Sequence, residues 1–237
     1  MKRLLKTICL LLIMLLIVLS SYTYVRARHL YNTKISELSI EDAVKQYTYN
    51  KYLTFDEIDE DFVNAVVSVE DKRFFDRKGY DFIALIRAIY NNIIFREFIE
   101  GGSTITEQIA KNLYLERTAR NLEEKICEIM IMYDLEEKYS KEELFALYAN
   151  MNYYGDGYWG LKNAARGYYK AQANDLSLAK AAILAGIPNA PSAYQLSTGY
   201  ELAKNRQEKV LTTMVNNNII SEEEKAEALL EDVTPIK

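Results

Sequence analysis

The sequence predicts a mainly α-helical domain carried behind one N-terminal apolar helix. Three observations lead there. Glycine and proline are scarce, 9 and 3 residues in a chain of 237. Apolar residues recur at three- and four-residue spacing rather than alternating, the pattern of helices rather than half-buried strands. An apolar run also opens the chain, long enough by itself to cross a bilayer. The length supplies one large domain or two small ones with ample core.

The apolar run comes first. Lys2, Arg3 and Lys6 precede a stretch that carries no charge until Arg26. As a helix, residues 8–25 reach about 27 Å, near the thickness of a bilayer core. Tyr22 and Tyr24 then stand at the far interface, where aromatics with polar tips collect. A cleaved signal peptide has a similar basic start and apolar run, but no small-x-small cleavage site stands out after Leu19. Residues 1–28 are therefore read as a cytoplasmic tip and single-pass transmembrane anchor.

Five of the 29 Lys and Arg residues lie in residues 1–28, which hold no acidic residue. The remainder has 24 basic against 34 acidic side chains, a formal charge of −10. Such a body is unsuited to sequence-independent nucleic-acid binding, so any anionic ligand needs a local cationic cluster. Cys9 falls in the anchor and Cys127 in the body, which leaves no disulfide framework and no cysteine-based zinc site.

Residues 29–52 read as a membrane-proximal tether with a short helix around Ser39–Tyr47. "DEDFVNAVVSVED" reads as a helix opened by Asp59, with Phe62, Val66, Val67 and Val69 inward. "YDFIALIRAIYNNIIFREFI" is the most apolar piece of the body. Arg87, Asn91 and Asn92 exclude a second span there, leaving a core helix or a surface dipping into the membrane interface. "SKEE" at Ser140–Glu143 and "SEEE" at Ser221–Glu224 match the capping box, in which a hydroxyl and a glutamate satisfy each other's backbone donors. "LSLAKAAILAG" reads as a buried helix ended by Gly186, and the two prolines of "IPNAPSAY" predict an extended loop after it.

Glu70 shares a helical face with Val66, Val67 and Phe74 and ends its helical run. Apolar surroundings and the negative end of the helix dipole both favour a carboxyl ready to accept a proton. A buried glutamate tied to an arginine is the competing reading. Glu128, in "KICEIMIMY", also lies on a largely apolar face, where a carboxylate is costly unless paired or functional. Two such carboxylates on separate helices suit chemistry at a sugar's anomeric carbon. In "GGSTITEQIAKN", Thr104 and Glu107 have capping-box spacing, and Thr104, Gln108 and Lys111 share one face of the helix they open. The glycines allow close approach of a ligand. Free amides at the helix start, the hydroxyls of Ser103 and Thr104, and Lys111 then compose an anion site suited to phosphate or pyrophosphate. Arg120 and Lys125 are further candidate cations. An ordinary capped helix with solvated cations remains the alternative.

"EDKRFFDRKGYD", "GGSTITEQIAKN", "RNLEEKICE", "LYANMNYYGDGYWGLKNAARGYY" and "LSLAKAAILAGIPNAPSAY" stand in the order of the five motifs of the peptidoglycan glycosyltransferases, which the chain thereby resembles from about Leu53 to Asn217. The resemblance implies a lysozyme-like, mainly α fold with a membrane-associated subdomain, a glycosyltransferase domain over 53–217, and a C-terminal helix and tail over 218–237. It implies a monofunctional, membrane-anchored enzyme on the extracytoplasmic face that polymerises lipid II, with transpeptidases and other cell-wall proteins as candidate partners. Glu70 matches the general base that takes a proton from the acceptor's 4-hydroxyl, and Glu128 the second glutamate. Lys111 and Arg120 match cations that hold the donor's pyrophosphate, with Ser103 and Gln108 close by. A divalent cation, Mg or Mn, is the cofactor it implies. A weakly active lipid II-binding scaffold and a lysozyme-like hydrolase are the alternatives.

Five positions depart from the motifs: Arg77 replaces a histidine, Glu107 a glutamine, Glu124 an arginine, Lys170 a glycine and Lys180 a glutamate. Glu107 and Glu124 put negative charge near the expected pyrophosphate site. Arg77 and Lys180 are the cations expected to offset it by pairing with them.

Overall fold

The structure, a computed structural model, describes residues 2–48, 52–79, 103–115 and 121–236. The apolar segment 82–98, Gly101, Gly102 and Arg120 therefore lie outside the described residues. Helices account for almost all regular structure among those described. In chain order they are α1 (Lys2–Glu37), α2 (Ile40–Thr48), α3 (Glu60–Glu70), α4 (Ile105–Tyr114), α5 (Leu122–Lys138) and α6 (Lys141–Met151). Then come α7 (Leu161–Tyr169), α8 (Leu178–Gly186), α9 (Pro191–Tyr194), α10 (Tyr200–Asn216) and α11 (Glu222–Leu230).

α1 is long and apolar enough to cross a membrane, and its apolar stretch is not buried against the rest of the chain. It does not end with that stretch. No glycine or proline occurs before Gly79, so nothing local stops the helix, and it runs on to Glu37. Its last turns pack on α5. Ala27 is buried there, Tyr31 donates to Asp134, and Arg26 faces Glu123 at 3.4 Å. After a short break α2 buries Ile40, Ala43 and Val44. The segment expected to be a tether is thus mostly helical and packed.

The caps anticipated from sequence form. Asp59 accepts from the Asp61 amide ahead of α3, and Thr104/Glu107, Ser140/Glu143 and Ser221/Glu224 make full capping boxes ahead of α4, α6 and α11. Each satisfies helix-start amides that the core would otherwise leave without partners. In the core α8, α3 and α10 pack on one another, and α4 packs on α5 and α6. Phe62, Val66, Ile109, Met132, Leu135, Phe145, Leu184 and Val210 are fully buried.

One local expectation needs correction. "IPNAPSAY" is not an extended loop: Ile187–Asn189 forms a 3-10 turn and Pro191–Tyr194 a short helix. Proline's fixed φ suits a first helical turn, where its missing N–H costs nothing, so both prolines start turns instead of preventing them. An isolated antiparallel bridge joins Tyr153 and Trp159.

Candidate active site

The site is built where α3 ends beside the start of α4. Glu70 is the last residue of α3 and is partly open, its side chain 15% exposed. The Gln108 side-chain amide donates to its Oε2 at 2.7 Å, and Arg206 of α10 faces its Oε1 at 3.5 Å. The expected carboxylate is therefore held from both sides: by Gln108, which the sequence placed near the pyrophosphate, and by an arginine, the kind of partner named in the competing reading, though its position was not foreseen. Nothing local in "KNRQEK" distinguishes Arg206 from a solvated cation; only the packing of α10 on α3 brings it to Glu70.

Gln108, Lys111 and Asn112 of α4 form one wall of a cleft of about 230 Å³. Asn152 and Tyr153, following α6, and Pro188, Asn189 and Pro191 complete it. Gln108 thus joins Glu70 to the cleft, and Lys111 supplies a cation along it. Of the four side-chain amides in the lining, Gln108 donates to Glu70 and Asn152 is engaged by Asn112 and the Tyr148 carbonyl; the amide atoms left over suit hydroxyl and carbonyl groups of a polar ligand.

A second constellation lies between α4 and α5. Lys125 sits 2.5 Å from Glu107 Oε1, 2.6 Å from Glu128 Oε1 and 3.4 Å from Ser103 Oγ. Glu107 is wholly buried, and Glu128 nearly so. Burial opposes the charge on Lys125, but Glu107 and then Glu128 outweigh it and raise its pKa. Ser103, Lys125 and Glu128 are brought together as a group. The Thr104 side chain is buried and acts as the N-cap of α4, accepting from the Glu107 amide.

This geometry corrects the expected pairing of the substituted residues. Glu107 is neutralised by Lys125, not by Arg77 or Lys180. Arg77 is bound to Asp71 and reaches Glu136 at 3.2 Å, while Lys180 faces Glu231 at 3.6 Å. Glu136 also takes Thr106 Oγ1 at 2.7 Å and Lys141 at 2.7 Å, and Asp71 accepts the Ile105 amide. Arg77 thereby ties the residue next to Glu70 to the start of α4. Burial raises the pKa of Asp71 despite Arg77; Glu136 is buried too, yet Lys141 and its other donors hold it below the ordinary value. Glu124 falls in the first turn of α5, where negative charge complements the helix dipole. Lys170 caps α7 with φ 54°, a left-handed position that glycine occupies without strain.

Among the described residues no group of three or more His, Cys, Asp or Glu side chains is arranged to hold a metal ion. The buried carboxylates Glu107 and Glu128 share an ammonium instead.

A family model described as Transglycosylase matches residues 32–215. Penicillin-binding protein 1A of Neisseria flavescens is 39% identical over 170 residues, which cover 72% of this chain and 21% of that protein. Penicillin-binding protein 1F of Bacillus subtilis (strain 168) is 35% identical over 198 residues, covering 83% of this chain and 28% of that protein. The chain thus spans less than a third of the length of either relative. The crystal structure of penicillin-binding protein 1A from Haemophilus influenzae aligns over 56% of this chain and 16% of that one, with 26% identity and a TM-score of 0.37. The match across residues 32–215, together with these relatives, shows that the chain belongs to the transglycosylase family of peptidoglycan glycosyltransferases.

Proposed function

We propose that this membrane-anchored chain polymerises lipid II into glycan strands, with its domain on the extracytoplasmic face. The observation that carries the reading is Glu70, held by Gln108 at the edge of the cleft that Lys111 also lines. In this reaction the acceptor's 4-hydroxyl passes its proton to Glu70, and its oxygen attacks C1 of the donor sugar. The new bond joins that oxygen to C1 with inversion, the bond from C1 to the pyrophosphate oxygen breaks, and undecaprenyl pyrophosphate leaves with the electron pair. Arg206 and Gln108 aim the carboxylate, which is most of what a general base needs from its surroundings. Lys111 offsets charge developing on the leaving group, a task for a fixed cation. Arg120 is assigned to the same pyrophosphate, and Ser103 and Lys125 keep Glu128 in place near it. A divalent cation would supply further charge neutralisation at the pyrophosphate. Transpeptidases and other cell-wall proteins are the proposed partners.

The test is polymerisation of labelled lipid II by the detergent-solubilised full-length protein beside Glu70→Gln. Strands from the wild type and a loss of about 10²–10⁴-fold in the variant are expected, the usual range for a general base. Silence from both, with lipid II still bound across several divalent metals, would instead identify a binding scaffold. Clearing of purified cell walls would identify a hydrolase.

A further inference from the structure

Trp159 is the single tryptophan of the chain, and it is 53% exposed. So large an apolar ring is usually mostly buried, and a rigid loop holds this one out. Trp159 bridges to Tyr153, with ring centroids 4.9 Å apart and planes at 38°. The Gly157 amide donates to Tyr153 Oη at 3.0 Å, and Asn163 donates to the Trp159 carbonyl at 2.7 Å. Gly160 has φ +79°, and a Cβ there would come within 2.8 Å of the Asn150 carbonyl oxygen, so the turn after the indole admits only glycine without strain.

Tyr153 belongs to two surfaces at once. It packs at a tilt against Trp159 and it also lines the cleft beside Gln108, Asn112, Asn152 and Asn189, of which Asn152 is engaged by Asn112 and the Tyr148 carbonyl. An exposed aromatic surface continuous with a row of neutral amides matches a pyranose. The ring's C–H face packs on aromatic carbon, while hydroxyl and acetamide groups take directional hydrogen bonds. The amides are neutral and fit an uncharged sugar, while Lys111, in the same lining, is the cation assigned to the pyrophosphate.

We propose that Tyr153 and Trp159 form a saccharide platform at the mouth of the cleft, stacking a neutral N-acetylhexosamine of the glycan. Assigning the sugar to a growing strand rests on the polymerisation reading; the platform itself does not. The lone tryptophan makes the test direct. Intrinsic fluorescence of the full-length protein in detergent is followed while soluble N-acetylglucosamine tetrasaccharide is titrated in. A saturable change in Trp159 emission is expected, with affinity falling roughly tenfold in Tyr153→Ala. By calorimetry Trp159→Ala loses a similar factor, whereas Trp159→Phe stays within about threefold of wild type. Thermal unfolding of each variant separates a lost platform from a lost fold. No saturable response in the wild type, or unchanged affinity in folded Trp159→Ala, overturns the proposal. So does quenching of the indole by brominated lipid in proteoliposomes, which would put the pair in the bilayer interface. Saccharide binding without polymerisation would leave the platform standing and sink the polymerisation reading; polymerisation without a fluorescence response would do the reverse.

Discussion

Replacing Glu107 by glutamine restores the residue type expected at that motif position and tests how this chain has adapted to the change. Glu107 uses both oxygens: Oε1 meets Lys125 at 2.5 Å and Oε2 accepts the Thr104 amide at 2.7 Å. Glutamine keeps one acceptor, so its NH₂ must face either the ammonium or the Thr104 N–H. One charge-assisted hydrogen bond is lost in a wholly buried position, worth about 2 kcal/mol. Part of the Coulomb loss is returned because a buried carboxylate no longer needs desolvating. In a domain of this size 1 kcal/mol moves the melting temperature by roughly 2–4 °C, so a fall of about 4–8 °C is expected by thermal unfolding in detergent. The same change releases Lys125 from one of its two carboxylates. Affinity for a pyrophosphate-bearing donor analogue, measured by calorimetry, should therefore rise several-fold while stability falls. Lys125→Met is the harsher cut, since it leaves Glu107 and Glu128 buried without their shared cation. It should cost about 3–5 kcal/mol, and the double variant should fall short of the sum. A melting temperature within about 1 °C of wild type in Glu107→Gln would refute the bridge as a stabilising element.

Other consequences can be measured alongside. Arg206→Ala removes the cation 3.5 Å from Glu70 and should lower kcat for polymerisation about tenfold with little change in KM, with Arg206→Lys recovering part of it. Unchanged kcat would show that the pair has no part in catalysis. The Lys125 pKa is raised above the ordinary 10.5, so its stabilising contribution is complete below that value and lost as pH climbs through the folded one. The stability difference between wild type and Lys125→Met should then close as pH climbs above about 10.5; a difference that persists unchanged there would contradict the sign. Lys170→Gly should stabilise the domain by about 1 kcal/mol in chemical denaturation, because glycine adopts the left-handed cap of α7 without a Cβ penalty. A loss of stability would point to a contact by the lysine chain that outweighs the backbone strain.

What the sequence disclosed were features whose cause is local. The capping boxes at Thr104, Ser140 and Ser221 need only residues three apart, and each forms as spelled. The placement of Gln108 and Lys111 on one face of α4 is likewise a matter of helical periodicity, and it fixes one wall of the cleft. The pairings were not legible, because they depend on which helices meet. Arg206 finds Glu70 across 136 positions of chain, and Lys125 meets Glu107 across 18. Arg77 and Lys180 had the right charge to offset Glu107, but each is drawn to a nearer carboxylate. The turns around Pro188 and Pro191 were misjudged for a related reason: proline stops a helix it falls inside but starts one it precedes.

The unbroken course of α1 turns a membrane anchor into a gauge. Its upper turns are clamped to α5, the helix that carries Lys125 and Glu128, while its lower turns lie free of the domain. A single residue inserted between Val25 and Arg26 would swing the apolar stretch by about 100° and shift it by about 1.5 Å relative to that helix. The height and compass bearing of the carboxylates over the lipid surface are therefore written as a count of residues, and changing the count re-aims the whole domain.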